Sequence, residues 1–150
     1  ACGSGAFLHE ALRALRRRGF SGRIQVVGRD ISRAAISMAR FVLDRALVDW
    51  SQHRVSLDLE VGDSLASPLP LADVVVMNPP FMAFAALSST QREQMREILG
   101  KAYQGRPDLS MSFITHALAA LKPGGALGCL FPASLLSLTG AAQWRQDLLE

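Results

Sequence analysis

Val74-Val75-Val76-Met77-Asn78-Pro79-Pro80-Phe81 is a short apolar run that ends in an amide, two prolines and a ring. Four apolar residues in succession fit a strand buried on both faces, the pattern of a parallel sheet. Pro79 and Pro80 fix φ and donate no backbone hydrogen bond, so a central strand cannot run through them. Asn78, preceding a proline, is pushed toward an extended conformation. The outcome is a stiff turn that holds its carbonyls and the Asn78 side chain outward, beside the Phe81 ring. Such an edge suits a flat, polar-edged group such as a nucleobase. Two prolines alone also fit a strand that simply ends, and the surrounding chain has to decide between the two.

Outward from this turn, strand and helix patterns alternate. Residues 6–18 place Phe7, Ala11, Leu12 and Leu15 on one helical stripe, closed by Gly19. Residues 24–27 form a short buried-strand run between Gly22 and Gly28. Ser32 offers an N-cap for a helix to about residue 48, with Ala35, Ile36, Ala39, Val42, Leu43 and Ala46 inward. Val55, Leu57, Leu59 and Val61 alternate with Ser56, Asp58 and Glu60, as in a half-buried strand. Residues 82–108 are less regular and hold one helix, 90–99, capped by Ser89 or Thr90. A helix at 109–121 stops at Lys122-Pro123-Gly124-Gly125, before a strand at 126–131 and a helix at 141–150. The alternation predicts an α/β fold with a mostly parallel sheet covered on both faces. In such sheets ligands bind beyond the carboxyl ends of the strands.

The chain has 150 residues, 49% hydrophobic and 19% charged, which fits one globular domain or a large piece of one. Charged residues and glycines interrupt every apolar stretch before the roughly 18 residues a membrane helix needs, so no membrane partner is expected. No signal peptide is visible, and Cys2 and Cys129 lack metal-ligand spacing. Both fit free thiols of a reducing, cytoplasmic compartment. The net charge is +3, yet 14 of the 16 cations are arginines, the residue suited to bidentate phosphate contacts. The run Arg16-Arg17-Arg18 fits a solvated helix end that complements the helix dipole, and also permits a polyanionic partner.

Unusual residues gather at the strand ends. Ala1-Cys2-Gly3-Ser4-Gly5 precedes the first helix, and its spaced glycines let the backbone turn tightly against a ligand. It is not a dinucleotide fingerprint: Leu8 stands where a third small residue belongs, and Asp30 lies 27 residues after Gly3 rather than about 20. Asp30, just past the second strand pattern, suits a ribose diol or an N-terminal helix acid. Asp63, after Gly62, suits an adenine amino group or a turn with Ser64. Three such strand ends followed by Asn-Pro-Pro-Phe at a fourth form the joint pattern that carries the inference.

Taken together, Ala1-Cys2-Gly3-Ser4-Gly5-Ala6-Phe7-Leu8, Gly28-Arg29-Asp30, Gly62-Asp63 and Asn78-Pro79-Pro80-Phe81 resemble the class I S-adenosylmethionine-dependent methyltransferases. More closely they resemble the N6-adenine DNA methyltransferases of restriction–modification type. Arg106-Pro107-Asp108-Leu109, Leu121-Lys122-Pro123-Gly124-Gly125 and Phe131-Pro132-Ala133-Ser134 are similar to that family's later core. The resemblance implies a three-layer Rossmann-like fold and S-adenosylmethionine as cofactor. Ala1, Cys2, Gly3, Gly5 and Phe7 would then lie along its methionine part. Asp30, with Ile31 beside it, would hold the ribose. Asp63, with Ser64, would meet the adenine. Asn78, also near the cofactor, and the Pro79 carbonyl would accept hydrogen bonds from the target amino group, while Phe81 stacks on a flipped adenine. No metal is implied.

The same resemblance implies DNA as partner, with a specificity or restriction subunit or domain. It is partial: the strand that should precede Ala1, the C-terminal hairpin and a target-recognition region are missing, and Phe81 replaces the commoner Tyr. Residues 1–150 are therefore expected to be a partial catalytic domain, weakly active or inactive alone. An RNA base or a protein glutamine amide presents a similar amino group to the same turn, and a non-catalytic cofactor- or nucleic-acid-binding module is the alternative of a different class. His9, His53, His116, Trp50 and Trp144 are expected to be structural.

Overall fold

Glycine and apolar spacing along the first 64 residues build two helices and two parallel strands. The computed structural model describes residues 1–48, 50 and 54–149; His53 and Glu150 lie outside the described residues. Two compact units divide the chain, Ala1–Ser64 and Leu65–Glu150.

In the first unit, α1 (Ala6–Arg17) is followed by β1 (Ile24–Asp30), α2 (Arg33–Leu47) and β2 (Val55–Val61). Gly19, at φ 68°, ends the first helix turn by turn as its position predicts. The Ser32 hydroxyl accepts from the Ala35 N–H at 3.2 Å, the expected cap. The register runs from Ile24 opposite Val55 to Asp30 opposite Val61. Leu12, Val26 and Leu43 form the core, with Leu8, Ile24, Leu57 and Leu59 packed around them. Each such buried side chain contributes about 1.5–3 kcal/mol over an exposed one. Gln25, Ser56, Asp58 and Glu60 point to the opposite, exposed face, where Arg29 pairs with Glu60 at 2.7 Å. Within this unit the helices cover one face of the sheet, and the second face carries Gln25, Val27, Ser56, Asp58 and Glu60.

β1 also extends three residues beyond the expected end. Asp30 is its last residue rather than a loop residue, since Gly28 is compatible with strand pairing. A Cβ on Gly28 would lie 2.8 Å from Leu59 Cδ2 and 3.2 Å from Cys2 Sγ, so the glycine admits the Cys2 side chain. Phe7, placed on the inward stripe by spacing, is 40% exposed.

In the second unit, β3 (Ala72–Met77) is followed by α3 (Ser89–Leu99), α4 (Leu109–Ala119), β4 (Leu121–Cys129) and α5 (Ala142–Asp147), with 3₁₀ turns at Phe84–Ala86, Gly100–Ala102, Ala133–Leu136 and Thr139–Ala141. β3 and β4 are parallel, so strand pairing gives two two-stranded parallel sheets. Met95, Leu99, Met111, Ile114, Leu135 and Trp144 form the core, and α4 is buried nearly all round. Trp144 donates from Nε1 to Thr115 Oγ1 at 3.0 Å, which satisfies its one polar atom.

Four expectations are corrected here. Val74 is 61% exposed, so β3 is not buried on both faces along its length. The cap of α3 is Ser88, not Ser89 or Thr90, because Ser88 and Gln91 form a reciprocal capping box. Lys122-Pro123-Gly124-Gly125 lies inside β4 rather than before it. The register jumps from Ala72–Leu121 to Val74–Ala126, a bulge opposite Asp73. Gly124 takes φ 78°, and a Cβ on Gly125 would sit 2.9 Å from the Lys122 carbonyl. Finally, α5 spans only Ala142–Asp147, preceded by a 3₁₀ turn at Thr139–Ala141.

Candidate active site

The parallel register of β1 and β2 brings their carboxyl ends level, since Asp30 faces Val61 and the Gly62 N–H donates to the Asp30 carbonyl at 2.9 Å. The loop of residues 1–5 lies on the same end. Cys2 N–H donates to the Arg29 carbonyl at 2.9 Å, and the Ala1 nitrogen donates to Arg29 O and to Ser64 Oγ. Gly3 and Gly5 take φ 55° and 81°, values costly for any residue with a Cβ. At Gly5 a Cβ would also meet Ala39 Cβ at 3.1 Å, so this glycine lets α1 start against α2.

Asp30 ties this loop together. Its Oδ2 accepts from Gly3 N–H and its Oδ1 from Ser32 N–H, both at 2.9 Å. Each carboxylate oxygen has a second acceptor position left. Ile31, the next residue, is 77% exposed. Asp63 is half-buried, and Ser64 is buried with its hydroxyl turned to Ala1. Burial pushes the Cys2 thiol above its ordinary value, which keeps it neutral near pH 7. The structure therefore brings Ala1, Cys2, Gly3, Gly5, Asp30, Ile31, Asp63 and Ser64 to one end of the first unit.

In the second unit, β3 runs straight into the proline turn. Pro79 is buried, whereas Asn78 is exposed and Phe81 is 52% exposed. The Met77 carbonyl accepts from Leu130 N–H at 3.1 Å, and the Met82 carbonyl from Leu109 N–H at 3.2 Å. These bonds fix the backbone on either side of residues 78–81. Just beyond, Arg92 lies 4.6 Å over the Phe84 ring and donates to the Phe84 carbonyl at 3.2 Å. Phe84 meets Tyr103 edge to face at 6.4 Å. The sequence reading missed this support, as it missed the Arg29 carbonyl beneath the glycine loop. Gly28 was expected only to bound a strand, and its place inside β1 is what marks the close approach there.

No group of three or more His, Cys, Asp or Glu among the described residues could hold a metal ion. No helix among them is long and apolar enough to cross a membrane.

Among curated proteins nothing matches the chain. Seventeen chains of solved structures do. One, from Listeria monocytogenes, is named as a class I S-adenosylmethionine-dependent methyltransferase. It shares 22% identity with a TM-score of 0.76 over 99% of this chain, a likeness of fold. The chain spans 42% of the length of that protein. The sequence model of N-6 DNA methylases matches residues 1–150, and the chain belongs to that family.

Proposed function

We propose that this chain is the catalytic core of a methyltransferase that uses S-adenosylmethionine to methylate the N6 amino group of adenine in DNA. The observation that carries the reading is the Asn-Pro-Pro-Phe strand end, with Pro79 buried and Asn78 and Phe81 exposed, in a chain whose glycine loop is tied to Asp30.

The residues of the first unit fit the cofactor. A Cβ at Gly3 would meet nothing within 4 Å, so its backbone borders open space. Ala1, Cys2, Gly3, Gly5 and Phe7 would hold the methionine portion. The acceptor positions left on Asp30 suit a ribose diol, the exposed Ile31 offers an apolar face to the adenine, and Asp63, with Ser64, receives its amino group. When bound, the cofactor supplies an electrophilic methyl on a sulfonium.

In the second unit, the work is done by alignment. An exocyclic amine conjugated to a ring is a poor nucleophile, because its lone pair is delocalised. The Asn78 side-chain oxygen and the Pro79 carbonyl accept its two N–H bonds and favour a pyramidal nitrogen. Phe81 stacks on the base, which has to leave the duplex. No covalent enzyme intermediate is needed. A specificity or restriction subunit or domain is the partner this reading expects besides DNA.

The test is Asn78→Ala in the intact protein. Loss of one preorganised contact to the reacting group lowers kcat by roughly 10²–10³-fold, with a far smaller change in cofactor affinity by calorimetry. An unchanged transfer rate would instead favour a non-catalytic binding module.

A further inference from the structure

Asn78, Pro79, Pro80 and Phe81 make no hydrogen bond among the described residues, and the two prolines have no N–H to give. The turn is held by burial of Pro79 and from its flanks. On one side Leu130 N–H fixes the Met77 carbonyl; on the other Leu109 N–H fixes the Met82 carbonyl. Beyond Met82 the chain is held at Phe84. Phe84 is three residues from Phe81, about 10 Å of extended chain, so whatever fixes Phe84 limits where the Phe81 ring can stand.

One side chain grips Phe84 twice. The Arg92 guanidinium lies 4.6 Å from its ring centroid and donates from Nη2 to its carbonyl at 3.2 Å, which fixes the ring and the backbone of one residue together. Arg96, one helical turn further along α3, lies 5.3 Å from the Tyr103 ring, which in turn meets Phe84 edge to face. Arg92, Phe84, Tyr103 and Arg96 alternate cation and ring, and tie α3 to the segment that follows the turn. Stability gives little reason for an arginine at position 92. Its Nε is buried with no acceptor, which weakens a fold, and it forms no ion pair among the described residues. An apolar side chain of similar length would fill the place without that cost. What arginine alone supplies is a flat group that meets a ring and a carbonyl at once.

We infer that Arg92 is a positioning residue for the proposed reaction: by holding Phe84 it sets where the Phe81 ring and the Pro79 carbonyl meet the acceptor base. The inference rests on the function proposed for the Asn78 turn. A displacement of about 1 Å at a reacting group costs roughly 10²-fold in rate, so a tether one loop away from the chemistry is enough to govern it.

The test is methyl transfer to DNA by the intact protein with Arg92→Met, with Phe84→Leu and with both together, beside cofactor calorimetry and denaturant unfolding of each. Arg92→Met lowers kcat by about 10–100-fold, while cofactor affinity stays within about twofold and the denaturant midpoint changes little. The pair loses no more kcat than the worse single variant, because Arg92 acts through Phe84. Losses that multiply in the pair would overturn the inference. So would an unchanged kcat in Arg92→Met, or a loss of kcat matched by equal losses of cofactor affinity and stability, since the arginine would then serve the fold alone. Wild-type protein that puts label on RNA or protein instead of DNA overturns the proposed function, and the Arg92→Met comparison is then decided with that acceptor.

Discussion

Asp30 has one function that its bonds show and a second that the proposed function gives it. It accepts from the Gly3 and Ser32 N–H groups, so it holds the glycine loop and the start of α2 before any ligand arrives. In the proposed function it also meets the ribose. Asp30→Ala leaves the part-buried Gly3 N–H without its partner, at about 1–3 kcal/mol, while the exposed Ser32 N–H can turn to water. The expected outcome is a lower denaturant midpoint and at least about tenfold weaker cofactor binding by calorimetry, equivalent to about 1.4 kcal/mol. Loss of stability with unchanged cofactor affinity would leave Asp30 a loop anchor alone. Spacing placed this acid at a strand end and suggested its partner; it did not reveal the Gly3 bond, because a contact across 27 residues depends on how the loop folds back.

Elements show where local pattern suffices. The Ser32 cap and the boundaries of β2 follow from capping chemistry and period-two alternation, and both stand as read. The Lys122-Pro123-Gly124-Gly125 segment was misread because proline and paired glycines are also turn signals. Only pairing with β3 shows that they form a bulge, held at one point by Lys122 to Asp73 at 2.9 Å. The Ser88 box was missed because three hydroxyl residues stand in a row at 88–90 and only Gln91 selects among them. Two substitutions test these elements by denaturant unfolding. Ser88→Ala costs about 1 kcal/mol. Gly125→Ala costs about 1–3 kcal/mol, because its Cβ would press on the Lys122 and Asp73 carbonyls. A cost near zero for Gly125→Ala would mean that the bulge rearranges freely.

Across the whole molecule, the α/β class and parallel pairing were legible in the alternation of strand and helix, and so were the strand ends that carry polar residues. Two things were not. One is the division into two units with separate two-stranded sheets, since pairing partners depend on contacts distant in sequence. The other is the aromatic support behind the proline turn, Arg92 on Phe84 and Phe84 on Tyr103. The central claim is that the Asn78 turn holds the amino group of adenine in DNA for methylation. The most direct measurement is transfer of tritiated methyl by the intact protein to DNA, transfer RNA and protein offered together, followed by hydrolysis and separation of the products. The account predicts label in N6-methyladenine from DNA; label confined to RNA bases or to protein glutamine would contradict it.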